Sequence, residues 1–174
     1  MNTLTSDARR LAAALKRQQI KVVFAESCTG GLVSASLAKV AGISEYLCGS
    51  AVTYRNNTKH EWLRVPSEQL VRPGPVSAVV AREMAKGVLR LTPEAAWSAS
   101  VTGHLGPNAP KRLDGVVYIG IARRGPKPSA PDDYVATTFR HVLVAGTRVS
   151  RQREAVSIVL RQLLNAIIEG RQDL

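Results

Sequence analysis

Apolar positions recur along the chain with two different periods, and they divide it into strands and helices. Ala8, Leu11 and Leu15 are spaced by three and four, so Thr5 to Gln18 is expected to be a helix capped by Thr5 or Ser6. Lys21 to Ala25 contains Val22-Val23-Phe24 without alternation, as expected of a short strand covered on both faces. Helical spacing returns from Leu32 to Ala41, with Gly42 as the expected stop. Cys48 to Tyr54 reads as a second strand. Arg55-Asn56-Asn57-Thr58 has turn chemistry, Lys59 to Leu63 reads as a short helix, and Pro66-Ser67-Glu68 can open another helical turn.

Pro73-Gly74-Pro75 then interrupts the pattern. Ser77 is expected to cap a helix carrying Val80, Met84, Val88 and Leu91 on one face. Ala95 to Val101 reads as a third strand that closes on Thr102-Gly103. His104 to Asp114 reads as a loop, and Val116 to Ala122 as a fourth strand. A turn-rich connection, Gly125 to Pro131, leads to a fifth strand over Tyr134 to Ala145. Its period-two alternation suits a half-exposed or edge position. Val156, Val159, Leu160, Leu163, Leu164 and Ile167 mark the buried face of a final helix, entered through Gly146-Thr147-Arg148. Strands and helices alternate in the front half, and two strands are adjacent near the end. The expected fold is a three-layer α/β/α sandwich with a mixed, mostly parallel sheet of about five or six strands.

Composition narrows the picture. The 174 residues suit a single domain over 1–174. Aromatic residues make up 5% of the chain, so the core must be aliphatic. No apolar stretch reaches the ~18–20 residues of a membrane span. Met1 to Arg17 lacks the apolar block of a secretory leader, so a cytoplasmic protein is expected. Cys28 and Cys48 make no disulfide framework, and no zinc-ligand spacing is present, so no zinc site is expected; no cofactor is expected either. The formal net charge of +11 is compatible with nucleic acid and equally with a phosphate-bearing substrate. The basic residues are spread along the chain, and aromatic stacking platforms are scarce, so nucleic acid is the less favoured partner.

Candidate chemistry centres on Ala25-Glu26-Ser27-Cys28-Thr29-Gly30-Gly31, where a strand turns into a helix. Such a turn can expose a nucleophile or hold an anion; equally, Ser27 or Thr29 can simply cap the helix. Serine needs a base, and no histidine stands in a triad-like pattern. Lys59, with Tyr54 as a relaying phenol, offers an alternative if the amine is neutral. Lowering its pKa from ~10.4 to about 7 costs roughly 4–5 kcal/mol, which burial and a nearby cation such as Arg55 can supply. The plain alternatives are a solvated lysine and a strand-end tyrosine. Thr102-Gly103-His104-Leu105-Gly106-Pro107 and Arg148 fall at other strand or helix ends, where ligands gather in such folds. His104 there is either an acid–base group or an exposed loop residue.

Taken in order, these motifs resemble the CinA C-terminal domain family, which includes stand-alone nicotinamide mononucleotide (NMN) amidohydrolases. The resemblance rests on Ala25 to Gly31, Val52-Thr53-Tyr54 with Asn56 and Lys59, and Gly74-Pro75-Val76-Ser77. It continues through Ala81 to Gly87, Val101-Thr102-Gly103 with Gly106-Pro107, Gly115 to Tyr118, and Gly146-Thr147-Arg148. It covers roughly residues 5 to 168. It implies a homodimeric enzyme without metal that hydrolyses the carboxamide of NMN to nicotinic acid mononucleotide and ammonia. By position it implies Ser27 as nucleophile, with Tyr54 and Lys59 as its activating partners. It further implies an oxyanion site at the backbone of Thr29, Gly30 and Gly31, and ligand contacts at Thr102, Gly103 and Arg148. The chain departs from the family's pattern at Arg55, His104, Thr147 and Gln152, and in a shorter segment from Pro107 to Gly115. The alternative function is a non-catalytic basic protein that binds nucleotides or nucleic acid.

Overall fold

Five strands form one sheet in the computed structural model, which describes residues 3–125 and 133–170. They are β1 (Val22–Glu26), β2 (Leu47–Val52), β3 (Trp97–Gly103), β4 (Val116–Arg124) and β5 (Tyr134–Val142), in the order β2-β1-β3-β4-β5. β1 runs parallel to both β2 and β3, so the middle of the sheet has a parallel core. β4 and β5 extend it in antiparallel fashion. The sheet is mixed, as the sequence predicts, and β5 is the half-exposed edge that its alternation implies. Residues 126–132 of the expected Gly125 to Pro131 connection lie outside the described residues.

Successive β1 residues feed two cores. Val22 and Phe24 pack with α1 (Thr3–Gln18), α2 (Leu32–Ala38) and α6 (Arg148–Glu169). Val23 and Ala25 pack with α3 (Asn56–Leu63), α4 (Ser67–Val71) and α5 (Ala78–Leu91). This is the expected three-layer arrangement, and it follows from the period of two along a strand whose five residues are all buried. The core is aliphatic, with Phe24 its one fully buried aromatic side chain among the described residues. α5 is tied to β3 by hydroxyls: Ser98 donates to the Ala85 carbonyl at 2.8 Å and Ser100 to that of Ala81 at 2.5 Å.

Several boundaries differ from expectation. α1 begins at Thr3, so Thr5 and Ser6 lie inside it and do not cap it. α2 stops at Ala38 with Lys39 as its C-cap, and Gly42, at φ 75, opens a short 3-10 turn over Ile43–Glu45. α3 starts at Asn56, absorbing most of the expected turn. Ser77 caps α5 as predicted, accepting from the Val80 N–H at 3.3 Å. Thr147 and Ser150 form a reciprocal capping box at the start of α6.

Candidate active site

The turn between β1 and α2 is built around Glu26, the last residue of its strand, which is fully buried. One carboxylate oxygen accepts from the Thr29 hydroxyl at 2.7 Å and from the Gly31 and Val33 N–H groups at 3.0 Å each. The other accepts from the Ser34 N–H and the Ser50 hydroxyl at 3.0 Å each, and from the Ser34 hydroxyl at 3.1 Å. Glu26 therefore caps α2, where neither Ser27 nor Thr29 does, and its charge sits at the positive end of the helix. The Gly31 residue that precedes α2 has φ 96, a conformation that side chains beyond glycine rarely adopt. The Ser27 N–H donates to the Val101 carbonyl on β3 at 3.0 Å, and the Gln152 amide of α6 donates to the Thr29 carbonyl at 2.8 Å. The turn is thus clamped from both sides, and the Ser27 hydroxyl is not needed for capping.

Lys59, in the first turn of α3, is 2% exposed. Its Nζ donates to the Ser27 Oγ at 3.1 Å and to the Thr53 carbonyl at 3.0 Å. Burial lowers its pKa to about 8, since no carboxylate is in place to hold the charge. Desolvation, and not a neighbouring Arg55, makes the amine available as a base. The adjacent Cys28 thiol is driven the other way: its burial pushes it up to about 12, which leaves it an inert neutral thiol beside the serine.

Tyr54 does not stand between these two groups. Its side chain is exposed, and its hydroxyl accepts from Arg148 Nη2 at 2.9 Å. Lys59 reaches Ser27 without a relay, because the helix that starts at Asn56 turns its first-turn lysine inward beneath the strand end. Arg148, at the start of α6, also donates to the Gly106 carbonyl, so it links Tyr54 to the 105–109 loop.

A cavity of about 220 Å³ opens at the carboxyl ends of β1 and β3. Ser27, Lys59, Tyr54, Thr102, Gly103 and Arg148 all line it, so six of the sequence-predicted residues converge there. His104 lines it too, within the stretch that follows β3. Beside it lies a second cavity, of about 610 Å³, with Lys111, Arg148 and Arg151 in its wall. Arg151 is held by Asp114 through two contacts, at 2.8 and 3.1 Å, and this pair lowers the Asp114 pKa.

Thr29, Gly30 and Gly31 do not line the cavity. The Gly30 N–H is spent on the Ser27 carbonyl at 3.0 Å, and the Gly31 N–H on Glu26, so neither glycine donor is available to an oxyanion. Among the described residues, the N–H groups of Cys28 and Thr29 have no carbonyl or carboxylate partner. Two other expected ligand contacts have structural work as well. The Thr102 hydroxyl donates to the Pro75 carbonyl at 2.8 Å. A Cβ on Gly103 would come within 2.5 Å of Val117 Cγ1 and 2.7 Å of the Val116 carbonyl, so glycine is there to let β4 approach.

Sequence reasoning did not identify Glu26 or Gln152 in these supporting roles. A glutamate directly before a serine at a helix start was the available signal for the first. The second contact joins residues 123 apart and left no local signal.

The CinA C-terminal domain family model matches residues 4–167. A CinA-like protein from Prochlorococcus marinus (strain MIT 9301) is 36% identical over 155 residues, covering 88% of this chain and 35% of the relative. One from Endomicrobium trichonymphae is 36% identical over 169 residues, covering 96% and 36%. The chain thus spans about a third of the length of these curated relatives. Among solved structures, the competence/damage inducible protein CihA from Agrobacterium tumefaciens is similar with a TM-score of 0.85 at 28% identity, covering 95% of this chain and 97% of that one. The competence damage-inducible protein A from Klebsiella pneumoniae subsp. pneumoniae MGH 78578 is similar with a TM-score of 0.86 at 27% identity, covering 96% and 98%.

Proposed function

The chain belongs to the CinA C-terminal domain family, and from that premise we propose that it is a serine amidohydrolase that converts NMN to nicotinic acid mononucleotide and ammonia. The observation that carries this reading is the 3.1 Å contact between Lys59 Nζ and Ser27 Oγ. Neutral Lys59 takes the hydroxyl proton as Oγ attacks the carboxamide carbon. The carbonyl oxygen becomes an oxyanion, and the N–H of Cys28, the turn residue beside Ser27 that lines the cavity, is the donor that this turn has to offer it. As the C–N bond breaks, the Lys59 ammonium returns its proton to the leaving nitrogen, which departs as ammonia. A water then attacks the Ser27 ester, giving up a proton to Lys59; the acyl C–Oγ bond breaks as Lys59 returns that proton to Oγ, and the acid is released.

In this mechanism Lys59 is the activating partner of Ser27. Tyr54 is a wall residue that Arg148 holds in position, orienting the substrate. The cavity that carries Lys111, Arg148 and Arg151 supports a phosphate-bearing substrate, since guanidinium forks pair well with phosphate oxygens. We extend the proposal to a homodimer, which sedimentation of the purified chain tests.

Incubation with NMN tests the activity: ammonia and nicotinic acid mononucleotide should appear in equal amounts. No release at high enzyme concentration would refute the substrate. A second reading, a nucleic-acid-binding protein, is favoured by the net charge of +11. It requires duplex binding that weakens steeply with salt, and no binding at low salt removes it.

A further inference from the structure

A separate cavity of about 260 Å³ lies between α1, α2 and α6 and shares no lining residue with the cavity at Ser27. Three cations from three different elements border it: Arg9 on α1, Lys39 at the end of α2 and Arg153 on α6. No acidic side chain lines it. The side chains of Lys39 and Arg153 form no ion pair or hydrogen bond among the described residues. The cavity also has apolar wall in Ala8, Leu32 and Val40. Ser36 completes it; this residue is 5% exposed, and its hydroxyl has no partner.

A lysine at the end of α2 is explained by the helix dipole, which favours a cation there. That account does not extend to Arg9 in the middle of α1 or to Arg153 in the early part of α6. Both raise the positive potential at a concave site where like charges already repel. The polar groups without a partner here are the Lys39 ammonium, the Arg153 guanidinium and the Ser36 hydroxyl, all of them able to donate. An anion with several acceptor oxygens would satisfy such a set, and arginine forks suit a phosphoryl group in particular. The apolar wall calls for an organic part beside the charge, and the small volume of the cleft suits a small molecule and not a polymer.

We propose that this cavity binds a small phosphate monoester, with the phosphoryl group among Arg9, Lys39 and Arg153 and the organic part against Leu32 and Val40. The site is independent of the proposed hydrolysis, since none of its residues lines the cavity at Ser27 and Lys59.

Amide NMR titration of the full chain tests it, with phenyl phosphate, inorganic phosphate and phenol as separate probes. Phenyl phosphate should shift the amides of Arg9, Leu32, Ser36, Lys39 and Val40 along one saturating curve. Inorganic phosphate should act on the same amides more weakly, and phenol should leave them unmoved. Substituting both Lys39→Ala and Arg153→Ala, which changes exposed side chains, should weaken the phenyl phosphate curve at least about tenfold. The single variant Arg9→Ala should weaken it as well. Shifts confined to the Ser27 cavity, a response that never saturates, or an unchanged curve in the double variant would each overturn the proposal.

Discussion

The amine of Lys59 stands 3.1 Å from the hydroxyl of Ser27, although 32 residues separate them in the chain. The lysine is buried with two oxygen neighbours, Ser27 Oγ and the Thr53 carbonyl, and its pKa is lowered to about 8 by desolvation. In the proposed mechanism this amine is the base, poised near the working pH and in contact with a serine whose backbone is clamped by the sheet.

The pH profile follows from this. Lys59 must be neutral to accept the proton, so kcat/KM for NMN should rise about tenfold per pH unit below 8 and level off above it. A pH–rate series checks it; a profile that stays flat from about pH 6 to about pH 9, across the titration of the lysine, would contradict it.

Stability should respond to the same group. The folded pKa of Lys59 lies below its unfolded value of 10.5, so between about 8 and 10.5 the unfolded chain holds the proton more tightly. Stability should therefore rise with pH across that window, by roughly 3 kcal/mol in all from this residue. Lys59→Met should lose activity by ~10²–10⁴-fold while unfolding no more easily than wild type at neutral pH. Denaturant melts of both proteins at neutral and alkaline pH measure the difference.

Tyr54→Phe separates the direct mechanism from a phenol relay. The Tyr54 hydroxyl is bonded to Arg148, so removing it should lower kcat less than about tenfold and act mainly on KM. A fall in kcat of ~10²-fold or more would restore the relay.

Glu26→Gln keeps the shape of the buried side chain and replaces one acceptor oxygen with a donor. All six hydrogen bonds that Glu26 receives need an acceptor. The variant should lose on the order of 3 kcal/mol of stability. Urea unfolding midpoints report it, and an unchanged midpoint would show that the carboxylate is not what holds the turn.

The strands and the layers were legible in the sequence because burial on both faces writes itself into runs such as Val22-Val23-Phe24. Ser27 and Lys59 were legible as candidates, but not as a contact. The lysine's inward turn depends on α3 starting at Asn56, three residues before the expected helix start at Lys59. Gly30 and Gly31 read as oxyanion donors, yet their N–H groups are consumed by Ser27 and Glu26, a cost of closing the turn that sequence does not display. Gly103 read as a ligand contact and is also a steric necessity, since the neighbouring strand passes where a Cβ would sit. Gly103→Ala should accordingly cost about 1–3 kcal/mol, measured by the same melts.

Everything proposed for this site depends on Ser27 bonding covalently to substrate. Intact-mass spectrometry of the enzyme, acid-quenched during turnover of NMN, reads that bond itself. An adduct equal to NMN less ammonia should appear and map to the peptide that contains Ser27, and Ser27→Ala should show neither adduct nor ammonia release. Undiminished turnover of NMN by a folded Ser27→Ala protein would contradict it.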